Sequence, residues 1–217
     1  MSFPPRYRTA PVKSRGDLAG EASRSKALRA ALELFAVSGF KGTSIAQVAA
    51  KTGLSQSGLL HHFPSKAALL SAVLEERDAE DGRFISNDGE APLGWAAFDA
   101  LASLVARNST RPQLVSLFVR LSAEAIEPGH PAHQWVRDHY DGIESWLTDA
   151  LRTGQAQGEV DPEAPVASLV HMTIAVLDGL QQQWLLQPGR VSMVSDFAAH
   201  VALLRSRWGT GRDAELR

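Results

Sequence analysis

Residues 44–63 read SIAQVAAKTGLSQSGLLHHF. Thr43 and Ser44 supply side-chain oxygens that cap a helix from Ile45 to about Lys51, with Ile45, Val48 and Ala49 on one face. Gly53 breaks that helix and provides the positive φ of a tight turn. Ser55 caps a very short helix through about His62, and Phe63-Pro64 ends it before Ser65 opens the next. Two short helices about one glycine turn make a helix-turn-helix. Ala49 is small where the pair crosses, while Val48, Leu54 and Leu59 lock it against the preceding helix. A helix so short is marginal alone, so its purpose is to hold side chains in position. Its outward positions are Gln56, Ser57, Gly58, His61 and His62, all polar or small. Such a face can enter a major groove, where a Gln amide bonds adenine bidentately.

The charge around this unit has the sign a polyanion requires. Residues 1–66 carry ten Lys or Arg and three Asp or Glu, a balance of +7, which leaves 12 bases and 21 acids, or −9, for the rest. That asymmetry argues for two functional parts. Lys66 stands at the next helix start, where phosphate contact is favoured. Residues 1–22 read as a flexible basic arm. Arg6, Arg8, Lys13 and Arg15 either track phosphates or the minor groove, or form a solvated tail; both readings are open.

The 217 residues contain 44% hydrophobic and 21% charged side chains, an ordinary globular balance, and no cysteine. Disulfide scaffolds, thiol catalysis and thiolate metal sites are excluded. No run approaches the ~20 apolar residues of a membrane span. Phe3 is followed by Pro4, Pro5, Arg6 and Arg8 rather than an apolar leader, so a cytoplasmic protein is expected. The first helix begins at Ser23 or Ser25, carries Ala27, Leu28, Ala31, Leu32 and Phe35 at helical spacing, and stops at Gly39. A fourth runs from Lys66 to about Asp81, and a glycine-rich loop covers 82–94. Long helices follow at about 95–108, 112–126, 132–156, 163–187 and 191–208, bordered by Pro112, Pro128, Gly158 and Pro188. The expected fold is all-α: a helix-turn-helix domain over 23–68 and a larger helical domain over 69–217.

The residues Ala31 to Phe35, Gly39-Phe40, Thr43-Ser44-Ile45, Val48-Ala49, Gly53-Leu54-Ser55, Gly58 and His61 to Lys66 together resemble the DNA-binding domain of the tetracycline-repressor (TetR) family. The resemblance covers about 24–74. It implies a homodimeric transcriptional regulator, usually a repressor, released from a palindromic double-stranded operator by a small effector. It carries the family's DNA contacts onto Thr43, Ser44, Ser55, Gln56, Ser57, Gly58, His62 and Lys66. One departure is Leu60, where the family commonly has Tyr; contact with DNA and core packing both remain open there.

The acidic half is expected to hold the dimer interface and a ligand pocket. The 163–187 helix is apolar over a broad stripe that includes Leu169, Leu180 and Trp184. The resemblance implies that it pairs with its twofold mate; a central core helix is the alternative. Trp95, Phe98, Phe118 and Trp146 are candidate walls of a pocket for a mostly apolar ligand, with plain core as the alternative. His171 and Asp178, seven apart on one helix face, are the candidate polar contacts. His130, His133 and His139 fit no zinc spacing, so no metal is expected. No phosphate loop or nucleophile elbow points to a cofactor or an enzyme. The first rival function is a dimeric DNA-binding protein without a ligand, whose signature is a tightly packed C-terminal core; a remoter one is a helical enzyme or metal-binding protein with a chance helix-turn-helix.

Overall fold

The computed structural model describes residues 15–86 and 90–211. Nine helices form among them, in order α1 (Arg15–Gly42), α2 (Ile45–Thr52), α3 (Gln56–His62), α4 (Lys66–Ile85), α5 (Trp95–Ser109), α6 (Pro112–Glu124), α7 (His133–Gln157), α8 (Val166–Leu186) and α9 (Met193–Trp208). The β pairing found among these residues is an isolated bridge between Val160 and Gly209. The all-α expectation holds. Arg6, Arg8 and Lys13 lie outside the described residues. Helix α1 starts at Arg15 rather than at Ser23 or Ser25, so residues 15–22 of the expected arm are helical. The run from Gly16 to Ala22 holds several good helix formers and no proline, and the helix extends through it.

The caps form where the serines stand. The Ser44 side chain accepts from the Gln47 N–H, and the Gln47 side chain closes a capping box. Ser55 and Ser65 accept from the Gly58 and Ala68 N–H groups. Each such cap is worth about 1 kcal/mol, enough to matter for an eight- and a seven-residue helix. Gly53 takes φ 70, ψ 14, the left-handed stop between them.

Two buried clusters make the core. The first joins Ala27, Ala31 and Phe35 of α1 to Val48, Leu59, Phe63, Leu69 and Leu74, and continues into Leu117 and Leu121 of α6. The second joins Phe98 and Leu101 of α5 to Leu147, Leu151, Leu169, Val170 and Phe197. Helix α4 runs through both parts of the chain. Its leucines belong to the first cluster, so the division expected at 68/69 falls inside a continuous rod. Helix α1 meets the larger part at a joint beside Gly39, whose φ 68, ψ −177 interrupts the helix. There the Phe40 N–H donates to Glu124 Oε2 at 3.1 Å, and His130 Nε2 stands 3.3 Å from the same oxygen.

Candidate nucleic-acid interface and internal cavity

The helix-turn-helix presents one face outward. Leu59 is fully buried, while Ser55, Gln56, Ser57 and His61 are exposed, and Gly58 and His62 half-buried. Ser44 is exposed at the start of α2. Leu60 is 41% exposed and belongs to the outward face, not the core. The first two turns of α3 therefore offer an amide, two hydroxyls and two imidazoles around a leucine.

Two expected contacts sit elsewhere. Thr43 is 2% exposed, and its hydroxyl donates to the Gly39 carbonyl at 2.9 Å, so its side chain ties down the end of α1. The Lys66 ammonium donates to the carbonyls of Phe40 at 2.8 Å and Thr43 at 2.9 Å, and lies 4.2 Å from the centre of the Phe40 ring. A cation at the start of α4 would oppose that helix's dipole; bending back to carbonyls at the end of α1 places it where a helix C-terminus favours a cation.

The C-terminal part forms a partly open cavity of about 440 Å³ between α4, α5, α6, α7 and α8, with Met193 of α9 at its edge. Three candidate residues line it: Phe118, Trp146 and Asp178. Three do not. Trp95 and Phe98 are core, the Trp95 indole donating to the Glu159 carbonyl at 3.2 Å. His171 has a side chain 63% exposed and pairs with Glu144 at 3.2 Å. It shares a face with Asp178 but lies two turns, about 10 Å, nearer the helix start, beyond the cavity's end.

The cavity also has a polar wall beyond the candidate residues. Arg77 and Asp81 of α4 line it, together with Asp78, Asn108, Asp138, His139, Tyr140 and Gln181. Arg77 lies within 3.5 Å of Asp78 and 3.8 Å of Asp81, with its guanidinium 4.9 Å from the Phe118 ring centre. Burial pulls its pKa below the ordinary arginine value, against the pull of Asp81 and Asp78. Burial also raises Asp81, although Arg77 and Arg107 oppose it. Tyr140 donates its hydroxyl to Asp178 Oδ2 at 2.8 Å. Burial first, and the Asp178 carboxylate second, push Tyr140 up to about 12, while burial raises Asp178. A signal existed in the sequence: Leu70 and Leu74 set a stripe that continues onto Arg77 and Asp81. Charges on the continuation of an apolar stripe are partnered inside.

His130, His133 and His139 are engaged separately. The first faces Glu124, the second lies 2.7 Å from the Ala125 carbonyl, and the third lies 3.7 Å from Asp78. Leu169 is 2% exposed in the chain's own core, so it cannot serve a dimer interface. Leu180 lines the cavity and Trp184 is half-buried beside the second cluster. The outward faces of α8 and α9 instead carry Met172, Leu186, Val194 and Leu203, interspersed with exposed Ala175, Ala198 and Ala202.

Comparison with known proteins agrees with this architecture. Residues 27–73 match the profile of bacterial regulatory proteins of the tetR family, and residues 97–205 match that of the BetI-type transcriptional repressor C-terminal domain. The HTH-type transcriptional regulator TtgR of Pseudomonas putida is 28% identical over 184 residues, 80% of this chain and 85% of that one. A TetR regulator from Chloroflexus aurantiacus superposes with a TM-score of 0.73 at 22% identity, covering 89% of this chain and 99% of that one. A protein from Saccharomonospora viridis, solved in complex with choline, gives a TM-score of 0.72 at 20% identity, covering 87% and 98%. No helix among the described residues is long and apolar enough to cross a membrane. With both halves of the chain matched in the order its helices run, the protein belongs to the TetR family of DNA-binding transcriptional regulators.

Proposed function

We propose that the protein is a cytoplasmic, homodimeric repressor that a small, mostly apolar effector releases from a palindromic operator. One observation carries the effector part. The first half of α4 packs into the helix-turn-helix core through Leu69, Leu70 and Leu74, and its second half walls the cavity through Arg77, Asp81 and Ile85. A rigid rod common to both transmits a tilt from one to the other. The ligand-free alternative calls for a tightly packed C-terminal core, and a 440 Å³ cavity speaks against it. An effector works only by binding the DNA-incompetent conformer more tightly, and operator DNA must then weaken effector binding by the same factor.

Base reading is assigned to Gln56, Ser57, Gly58, His61 and His62, and backbone positioning to Ser44 and Ser55. The exposed α8 and α9 faces serve the twofold. Operator duplexes selected from a random pool test the reading. Gln56→Ala should weaken binding to the selected site by about 1–3 kcal/mol and leave random duplex nearly unchanged. Equal losses on both would remove Gln56 from base recognition.

A further inference from the structure

Among the described residues, the cavity wall holds buried acceptors that are not fully satisfied. The Asp178 carboxylate is half-buried, and Tyr140 donates to one of its oxygens. Among the described residues, the cation-forming side chain that bears on it is His139, and it pairs with no lysine or arginine. One turn further along α8, Gln181 Oε1 is buried without a hydrogen-bond partner among the described residues, and Asn108 Oδ1 on α5 is likewise. All three residues line the same space. Arg77 is the one Lys or Arg in that wall among the described residues, and it is already held by Asp78 and Asp81; Asp81 also holds Arg107 at 3.0 Å, and Asp78, Asp81, Asp138 and Asp178 still outnumber the two arginines. The remaining surface is largely apolar, with Leu101, Val105, Phe118, Ile143, Trp146 and Leu177.

We propose that the cavity takes a protonated primary or secondary amine on an apolar body, with its ammonium between Asp178 and Gln181 and a second donor reaching Asn108. The proposal deepens the effector reading and rests on it for any consequence on DNA. Three other ligand classes fit worse. An anion meets four aspartates. A neutral apolar molecule leaves Asp178 desolvated without a counter-charge. A quaternary ammonium has no N–H for the Gln181 and Asn108 carbonyls, and buried acceptors left unpaired discriminate strongly against a ligand without the donor. The volume lies within the range of roughly 300–1,000 Å³ usual for small-molecule sites.

The test uses the full chain and the tryptophan emission that Trp146 places at the cavity. 4-Phenylbutylamine, 4-phenylbutanol, 4-phenylbutyrate and 4-phenylbutyltrimethylammonium are titrated at pH 7, with calorimetry as a second reading. The primary amine should bind at least tenfold tighter than the alcohol and the carboxylate, and at least threefold tighter than the quaternary analogue. Asp178→Asn, which keeps an oxygen for Tyr140, should lower amine affinity at least tenfold and leave the alcohol within threefold. Gln181→Leu should remove the preference for the primary over the quaternary amine. Absence of amine binding up to millimolar concentration overturns the proposal, as does an alcohol or carboxylate that binds as tightly. A quaternary analogue equal to the amine overturns it too, as does an Asp178→Asn variant that loses both ligands alike. Amine binding that leaves operator affinity untouched supports the ligand class and overturns the effector reading. Operator release by the alcohol, with the amine inert, does the reverse.

Discussion

Lys66 stands at a helix start facing the side where phosphates would approach, yet its charge is turned inward. Two carbonyls and one aromatic ring at the end of α1 hold it. Charged hydrogen bonds of this kind contribute about 1.5–3 kcal/mol together with their partners. Lys66→Met, which preserves the apolar stem, should therefore lower the thermal midpoint by roughly 3–10 °C. The slope of log affinity against log salt on random duplex should change by less than one unit. A full unit lost, with the midpoint unmoved, would return Lys66 to the phosphate contacts. Thr43 shows the same limit on reading residues singly. A Thr-Ser pair before a helix announces a cap, and spacing does not say which of the two turns inward.

At the scale of elements the glycine stops were legible, because an αL or extended positive-φ position has few other occupants. Gly39 does more than stop a helix. Its φ 68, ψ −177 lies in a region that other residues avoid, and a Cβ there would collide with Glu124 Oε1. Gly39→Ala should destabilise the chain by about 2 kcal/mol or more in urea unfolding, through strain of about 1–3 kcal/mol and loss of the Glu124 bond to Phe40. Gly53→Ala is the control: its φ is 70 but nothing lies within 4 Å of the added carbon, so about 1 kcal/mol is expected. Equal losses would show that the close approach to Glu124 carries no weight. The borders of α2, α3, α5 and α9 also followed from serine caps, glycine and proline. What spacing could not give was the inner face of α8. Leu169 and Met172 are both apolar, and only the packing of α6, α7 and α9 decides that the first is core and the second exposed. The cavity was half legible for the same reason. Aromatic residues fill core and pocket alike, so Phe118 and Trp146 reach it while Trp95 and Phe98 do not.

For the whole molecule, the proposed twofold makes a direct demand on α8 and α9. Leu203 is 69% exposed and Met172 49% exposed in the single chain, on faces that also expose Ala175, Ala198 and Ala202. Leu203→Glu should place an unpaired charge in the interface and shift the dimer toward monomer by at least tenfold in sedimentation, without altering the chain's own fold. A parent protein that sediments as a monomer at micromolar concentration would refute the twofold geometry, including two recognition helices about 34–36 Å apart. The two parts of the molecule also share a partition one side chain thick. Arg77 lines the cavity on one side and, on the other, a groove bounded by Leu28, Arg29 and Leu32 of α1. A guanidinium has no neutral form to retreat into at physiological pH. A guest that drew Asp78 or Asp81 toward itself would weaken the hold on that charge, and Arg77 would turn toward Glu76 and Glu80, which also border the α1 groove, competing at Glu80 with Arg107 and Arg111. The currency passing between cargo and DNA would then include an ion exchanging its escorts, beside the tilt that the α4 rod transmits.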